Sequence, residues 1–304
     1  MGAFKKVAIV GAAGNLGSCI LEALVDSGYD VTVISRAGST SEFPGVPEQN
    51  VKRGEYTADF FRKSLLGQDA LVLAIGSSAL ETQKQMIEAA TEVGVKRIIP
   101  SEFGSDMSNP ASLKAIPFNQ GKKVIADHLE NLVATHPQTT WTGVASGPFF
   151  DWCLEYNLFG CDIKTHQATL YDHGQTRFDA TNIRSVGKAV AKILSMPEKF
   201  QNERILISGM AVTQCEILEA FKKATAATDW TVSHRTADSL RQEGYEKVGN
   251  NDFSGVLDII GASLFQDGHG SYYSRDGVVM NEILGVKDDL YESVEKYVKT
   301  QLAN

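Results

Sequence analysis

Apolar residues recur along the first half of this chain in two alternating rhythms. Short runs such as Val7-Ala-Ile-Val10 have the length and β-branched composition of buried strands. Between them lie segments with apolar positions three or four residues apart. In residues 15–27, Leu16, Ile20, Leu21, Leu24 and Val25 share one helical face, and Gly28 supplies the stop. The same reading gives strands at 30–36, 51–56, 69–76, 97–100 and 141–146, and helices at 58–66, 79–93 and 118–135. Strands that are apolar throughout, alternating with helices, predict an α/β fold: a Rossmann-type doubly wound parallel sheet, covered on both faces and joined by right-handed crossovers.

After about residue 150 the rhythm breaks. Residues 149–162 are rich in aromatics, a hairpin is expected around Asp172-His173-Gly174, residues 183–194 read as a helix and 205–208 as a strand. From 211 to 304 helices dominate, with one strand near 230–233. The expected division is a Rossmann domain over 1–150, with about 182–210 returning to it, and a smaller lobe over 151–304. That lobe would cover the carboxyl edge of the sheet, where open α/β folds bind ligands.

Bulk properties narrow the class. The 304 residues are 43% hydrophobic and 22% charged, an ordinary globular composition. A net charge of −8 argues against nucleic acid as a partner, because binding phosphates needs a basic face. Cys19, Cys153, Cys161 and Cys215 form no CxxC and no zinc spacing, so no metal is expected and reduced thiols in a cytoplasmic protein are. The apolar run at 7–10 is far too short for a membrane span, and no later run is long enough.

Gly11-Ala-Ala-Gly14-Asn-Leu-Gly17 follows the first strand and opens the first helix. Gly11 permits the tight turn, Gly14 lets the backbone approach a pyrophosphate, and Gly17 permits close packing of helix on strand. The N–H groups of Asn15 and Leu16 then face the phosphates. The second strand ends in Ser35-Arg36, where an NAD-binding chain usually carries a carboxylate. A guanidinium grips a 2′-phosphate, whereas a carboxylate repels one, so the expected cofactor is NADPH. Ala74 and Gly76, at the end of the fourth strand, complete the expected cofactor contacts. None of the nine tyrosines has a lysine four residues on, which removes the usual Tyr-x-x-x-Lys mechanism of short-chain dehydrogenases.

Lys96-Arg-Ile-Ile-Pro-Ser-Glu-Phe-Gly104 resembles the KRFxPSEFG segment of the isoflavone reductase-like proteins. These include pinoresinol–lariciresinol and phenylcoumaran benzylic ether reductases, within the NmrA-like branch of atypical short-chain dehydrogenases. The glycine loop, Ser35-Arg36 and the helix at 118–131 match as well. The stretches 141–152 and 172–176 are more similar to fungal members, and the likeness fades after about residue 210. The resemblance implies a reductase whose lysine, at the start of that helix, sits beside the nicotinamide and manages a proton. Counting back from Leu129-Glu130 puts it at Lys122, which would also touch the cofactor; Lys123 is the alternate. Burial beside a cationic ring would lower such an amine towards neutrality.

Phe149, Phe150 and Trp152 are the candidate walls of a pocket for a flat or aromatic substrate, with core packing as the alternative. Glu102 reads as a structural carboxylate paired with a neighbouring cation, and His173 as a surface-turn histidine. The expected activity is hydride transfer from NADPH to a carbonyl, enone, imine or quinone-methide-like carbon of a mid-sized aromatic secondary metabolite. Two rivals stand beside it: an NmrA-like redox sensor that binds dinucleotide without turnover, and a cofactor-assisted isomerase or cyclase. Oligomeric state is not legible.

Overall fold

The computed structural model describes residues 3–76, 79–276 and 278–303. Its first half is β1 (Lys6–Val10), α1 (Asn15–Asp26), β2 (Asp30–Arg36), β3 (Val51–Gly54), α2 (Ala58–Leu65), β4 (Ala70–Leu73), α3 (Leu80–Glu92), β5 (Arg97–Ile99), α4 (Pro110–Ala115), α5 (Gln120–Ala134) and β6 (Thr140–Ala145). The second half continues with α6 (Phe150–Glu155), β7 (Cys161–Asp162), β8 (Gln167–Tyr171), β9 (Phe178–Ala180), α7 (Ile183–Leu194), β10 (Glu203–Leu206) and β11 (Met210–Val212). It ends with α8 (Gln214–Thr225), β12 (Thr231–Arg235), α9 (Ala237–Gly249), α10 (Gly255–Leu264), α11 (Asn281–Leu284) and α12 (Leu290–Leu302).

Seven strands form one parallel sheet in the order β10-β6-β5-β4-β1-β2-β3. The order reverses between β1 and β4, and the ligand crevice of an open α/β sheet lies at that switch point. Each central strand is buried on both faces. Val7 and Ile9 join the apolar cluster beneath α1 and α7, while Ala8 and Val10 join the one beneath α2, α3 and α5. Helices α1 and α7 nearly touch: a Cβ on Gly187 would lie 2.5 Å from the carbonyl oxygen of Cys19.

Arg97 ties the returning segment to the sheet. Its side chain is fully buried and donates to Thr140 Oγ1 (2.8 Å), Thr142 Oγ1 (2.9 Å), and the carbonyls of Pro197 (2.9 Å) and Lys199 (3.3 Å). Burial pushes its guanidinium down to about 10, so this charge is kept for the four acceptors it satisfies.

A third cluster fills the smaller lobe, drawing on α6, β7 to β9, α8, α10 and α12. The expected hairpin at Asp172–Gly174 does not form. Asp172, His173 and Gly174 all have positive φ, and that run turns the chain sideways. β8 pairs instead with β7 (antiparallel) and β12 (parallel), and β9 pairs with β11. Helix α4 was not read from the sequence, although its signal was there: Asn109 caps Ala111 N at 2.9 Å and Pro110 occupies the first turn.

Candidate functional site

The loop between β1 and α1 is held by backbone contacts that admit no side chain at Gly11 or Gly17. Gly11 has φ +86°, and a Cβ there would lie 2.2 Å from the Ala74 carbonyl oxygen. A Cβ on Gly17 would lie 1.9 Å from the Gly11 carbonyl oxygen. Gly14 N donates to Gly11 O (3.0 Å), and Ser18 N, one turn into the helix, donates to Gly14 O (2.8 Å). Gly14 offers α1 no side-chain cap, and the first turn carries no acidic residue. The N–H groups of Asn15 and Leu16 and the positive helix end are therefore open to an anion. A pyrophosphate fits this donor set.

At the end of β2, Ser35 is buried and Arg36 exposed. Arg36 borders a cavity of about 460 Å³ with Ala37, Gly38, Ser39, Gly54, Glu55 and Tyr56. Arg53 holds the far side of this loop, donating to the carbonyls of Ser39 (3.2 Å) and Ser41 (3.0 Å). Ala74 is half-buried and Gly76 exposed beyond the end of β4. Residue 75 between them is pinned: Ser101 Oγ donates to Ile75 O (2.7 Å) and accepts from Ile75 N (3.2 Å).

Ser101 opens the SEFG segment, and each of its residues makes a distinct contact. Glu102, 3% exposed, accepts from Arg204 Nε at 2.6 Å. The Phe103 carbonyl accepts from Lys122 Nζ at 3.1 Å, and the Gly104 carbonyl accepts from Ser146 N and Gly147 N, both at 3.0 Å. One short stretch after β5 thereby joins the loop after β4, the strand β10, the start of α5 and the end of β6. Arg204, 102 residues from Glu102 in the chain, gave no signal in the sequence.

Lys122 and Lys123 are adjacent but face different surroundings. Lys123 pairs with Asp127 one turn along α5. Lys122 is half-buried as a residue, and its amine end is desolvated, which holds it below the ordinary lysine value, with Glu102 opposing the shift. Burial also holds the Glu102 carboxyl above its usual range, with Arg204 acting against it. The buried Tyr273 does not stand in for the missing catalytic tyrosine: its hydroxyl donates to Ile207 O at 2.8 Å, and burial raises it well above the ordinary phenol value.

The three aromatics expected to wall one pocket part company. Phe149 is half-buried against the cluster beneath α1 and α7. Phe150 is fully buried in the core of the smaller lobe and stacks on Phe159 at 5.2 Å, so it presents no wall. Phe149 is the extended residue before α6, and the helix that begins at Phe150 buries Phe150 and leaves Trp152 half-buried. Phe150→Ala is expected to cost about 3–5 kcal/mol of stability, measurable by chemical denaturation. Trp152 lies against Tyr156 and borders a cleft of about 620 Å³ with Asn15, Asp151, Asn182, Lys296 and Tyr297, on whose wall Lys122 does not lie. His173 is exposed in its turn. Among the described residues no group of three or more His, Cys, Asp or Glu is placed to hold a metal, and no helix is long and apolar enough to cross a membrane.

Comparison with known proteins places this geometry among relatives. An oxidoreductase of Aspergillus flavus, aprR, is 31% identical over 283 residues, covering 92% of this chain and 94% of its own. Oxidoreductase poxI of Penicillium oxalicum is 30% identical, with 93% and 90% covered. Phenylcoumaran benzylic ether reductase PT1 of Pinus taeda is 31% identical over a shorter stretch, 36% of this chain and 39% of its own. Among solved structures, leucoanthocyanidin reductase of Vitis vinifera with NADPH superposes with a TM-score of 0.77 at 18% identity, over 97% of this chain and 99% of that one. AtPrR2 with NADP+ and (+)pinoresinol gives the same score and identity, over 98% and 100%. The model of the NmrA-like family matches residues 3–298, and the chain belongs to that family.

Proposed function

We propose that this protein is an NADPH-dependent reductase that delivers hydride to an electrophilic carbon of a mid-sized aromatic metabolite, with Lys122 managing the proton. The observation that carries this reading is the desolvated amine of Lys122, seated on the Phe103 carbonyl beside the buried Glu102. The oxidoreductase names of the fungal relatives and the NADP-bound reductases of like fold support the class. The aromatic substrate class is supported by the pinoresinol named with one of those structures.

Bound NADPH supplies the hydride. The uncapped start of α1 would hold its pyrophosphate through backbone N–H groups, and Arg36 would grip the 2′-phosphate. Ser101 pins the loop after β4 at Ile75, so a bound cofactor would meet a fixed surface there. Lys122, anchored by one of its three protons on Phe103 O, keeps two others for the substrate. It donates to the oxygen on which negative charge develops, and burial eases the loss of that proton.

The test is deuterium transfer from C4-labelled NADPH into products from a panel of aryl carbonyls, enones and quinone methides. Label in a reduced product supports the reading. Tight dinucleotide binding with no oxidation across the panel would instead favour a redox sensor, and product formed without net NADPH consumption an isomerase. Cofactor choice has its own test. Arg36→Ala is expected to weaken NADPH about 10- to 100-fold and leave NADH nearly unchanged, as read by fluorescence titration of both. Equal losses for the two would separate Arg36 from the 2′-phosphate.

A further inference from the structure

The Glu102–Arg204 pair is costly where it lies. Both side chains are at least nine-tenths buried, and each keeps one atom, Glu102 Oε1 and Arg204 Nη2, without a hydrogen-bond partner. Glu130 approaches Arg204 Nη2 only to 3.6 Å. Gly143 must stay small to admit the carboxylate, since a Cβ there would lie 2.5 Å from Glu102 Oε2. The arginine is braced from the other side by the Trp141 ring, 5.5 Å from its guanidinium carbon. Such a pair is a poor means of stabilising a fold, because two apolar side chains of the same volume do as well or better. Its location supplies a different reason: Glu102 immediately precedes the residue whose carbonyl holds Lys122 Nζ.

We infer that Glu102, fixed by Arg204, is a positioning residue that keeps the Lys122 ammonium charged and seated on the Phe103 carbonyl, ready to donate. This rests on the proton role given to Lys122 above. The charged groups around Lys122 come from three elements. On α5, Lys123 is tied to Asp127, and Glu130 reaches Arg204 instead. From β10 comes Arg204, already paired; from the loop after β5 come Glu102 and Asp106, and Asp106 acts on Arg204. Glu102 is the charge that opposes the effect of burial on Lys122. Without it, the desolvated amine would shed its proton at lower pH and leave no acid for the reacting oxygen.

The experiment titrates Lys122 directly, by the pH dependence of its acetylation read by peptide mass spectrometry, in the intact protein with NADPH bound. In Glu102→Gln the titration is expected to move down by about one pH unit, and the alkaline limb of kcat to move down with it. If breaking the pair unfolds the protein, the double variant Glu102→Gln/Arg204→Met replaces both charges together. It is expected to shift Lys122 in the same direction by less, because the nearer charge dominates. A Lys122 titration unmoved in the folded variant overturns the inference. The role of Lys122 itself is read separately, from turnover of its own variants, so labelling and turnover fail independently.

Discussion

Lys122→Ala is expected to lower kcat by about two to four orders of magnitude, the usual contribution of a positioned acid or base. The binding of NADPH should change little, because the pyrophosphate cradle and Arg36 lie on other elements. The loss should therefore fall on kcat and kcat/KM together, the signature of an interaction made in the transition state. Lys123→Ala is the matched control. That side chain is spent on a partly exposed pair with Asp127, and its removal should leave turnover within about twofold, as such pairs contribute little. Lys122→Met keeps the apolar stem and removes only the amine, so a matching loss in Met and Ala separates proton transfer from packing. Steady-state kinetics with the best substrate of the panel, beside a thermal melt of each variant, decide the matter. Wild-type turnover in folded Lys122→Ala would remove the lysine from the chemistry and leave a dinucleotide-binding protein whose acid lies elsewhere.

Legibility in the sequence follows the range of the interaction. The loop at Gly11–Gly17 could be read because its constraints are local: a strand, three glycines and a helix within a dozen residues. The parallel sheet could be read because strands buried on both faces must be apolar throughout, as Val7–Val10 is. Asn109-Pro110 was equally local, yet the helix it starts has only six residues, too few for a periodic pattern to show. The turn at Asp172 carried the residues of a hairpin, but the partner of β8 was decided by β12, more than sixty residues on. Phe150 and Trp152 have the same aromatic character in sequence, and only the start of α6 sends one into the core and the other to a cleft. The carboxylate at Glu102 suggested a cation nearby without saying which. Arg204 reaches it only after the chain has gone out through the smaller lobe and come back to the sheet.

Gly17→Ala is expected to raise the NADPH Kd by at least about 100-fold and to destabilise the apoprotein by about 1–3 kcal/mol. The added methyl would meet the Gly11 carbonyl oxygen at 1.9 Å, its carbon at 2.7 Å and Ala12 Cα at 3.0 Å. All three are backbone atoms, so no rotamer change relieves them. Nor can the loop retreat, because Gly11 lies under the Ala74 carbonyl and already has φ +86°. Alanine gains up to about 1 kcal/mol over glycine inside a helix, but α1 must part from the loop to collect it. That movement carries the N–H groups of Asn15 and Leu16 away from the phosphates, so affinity falls further than stability. Gly14→Ala gives the contrast. Its φ is −80°, and a methyl there would meet only the Gly11 carbonyl oxygen, at 3.3 Å. The apoprotein should tolerate it within about 1 kcal/mol, while NADPH still weakens because the methyl occupies the line of approach to the pyrophosphate. Urea denaturation of the apoproteins and fluorescence titration with NADPH measure both quantities. Unchanged stability and affinity in Gly17→Ala would mean that helix and loop do not touch as described, and the cradle would lose the rigidity that makes it bind.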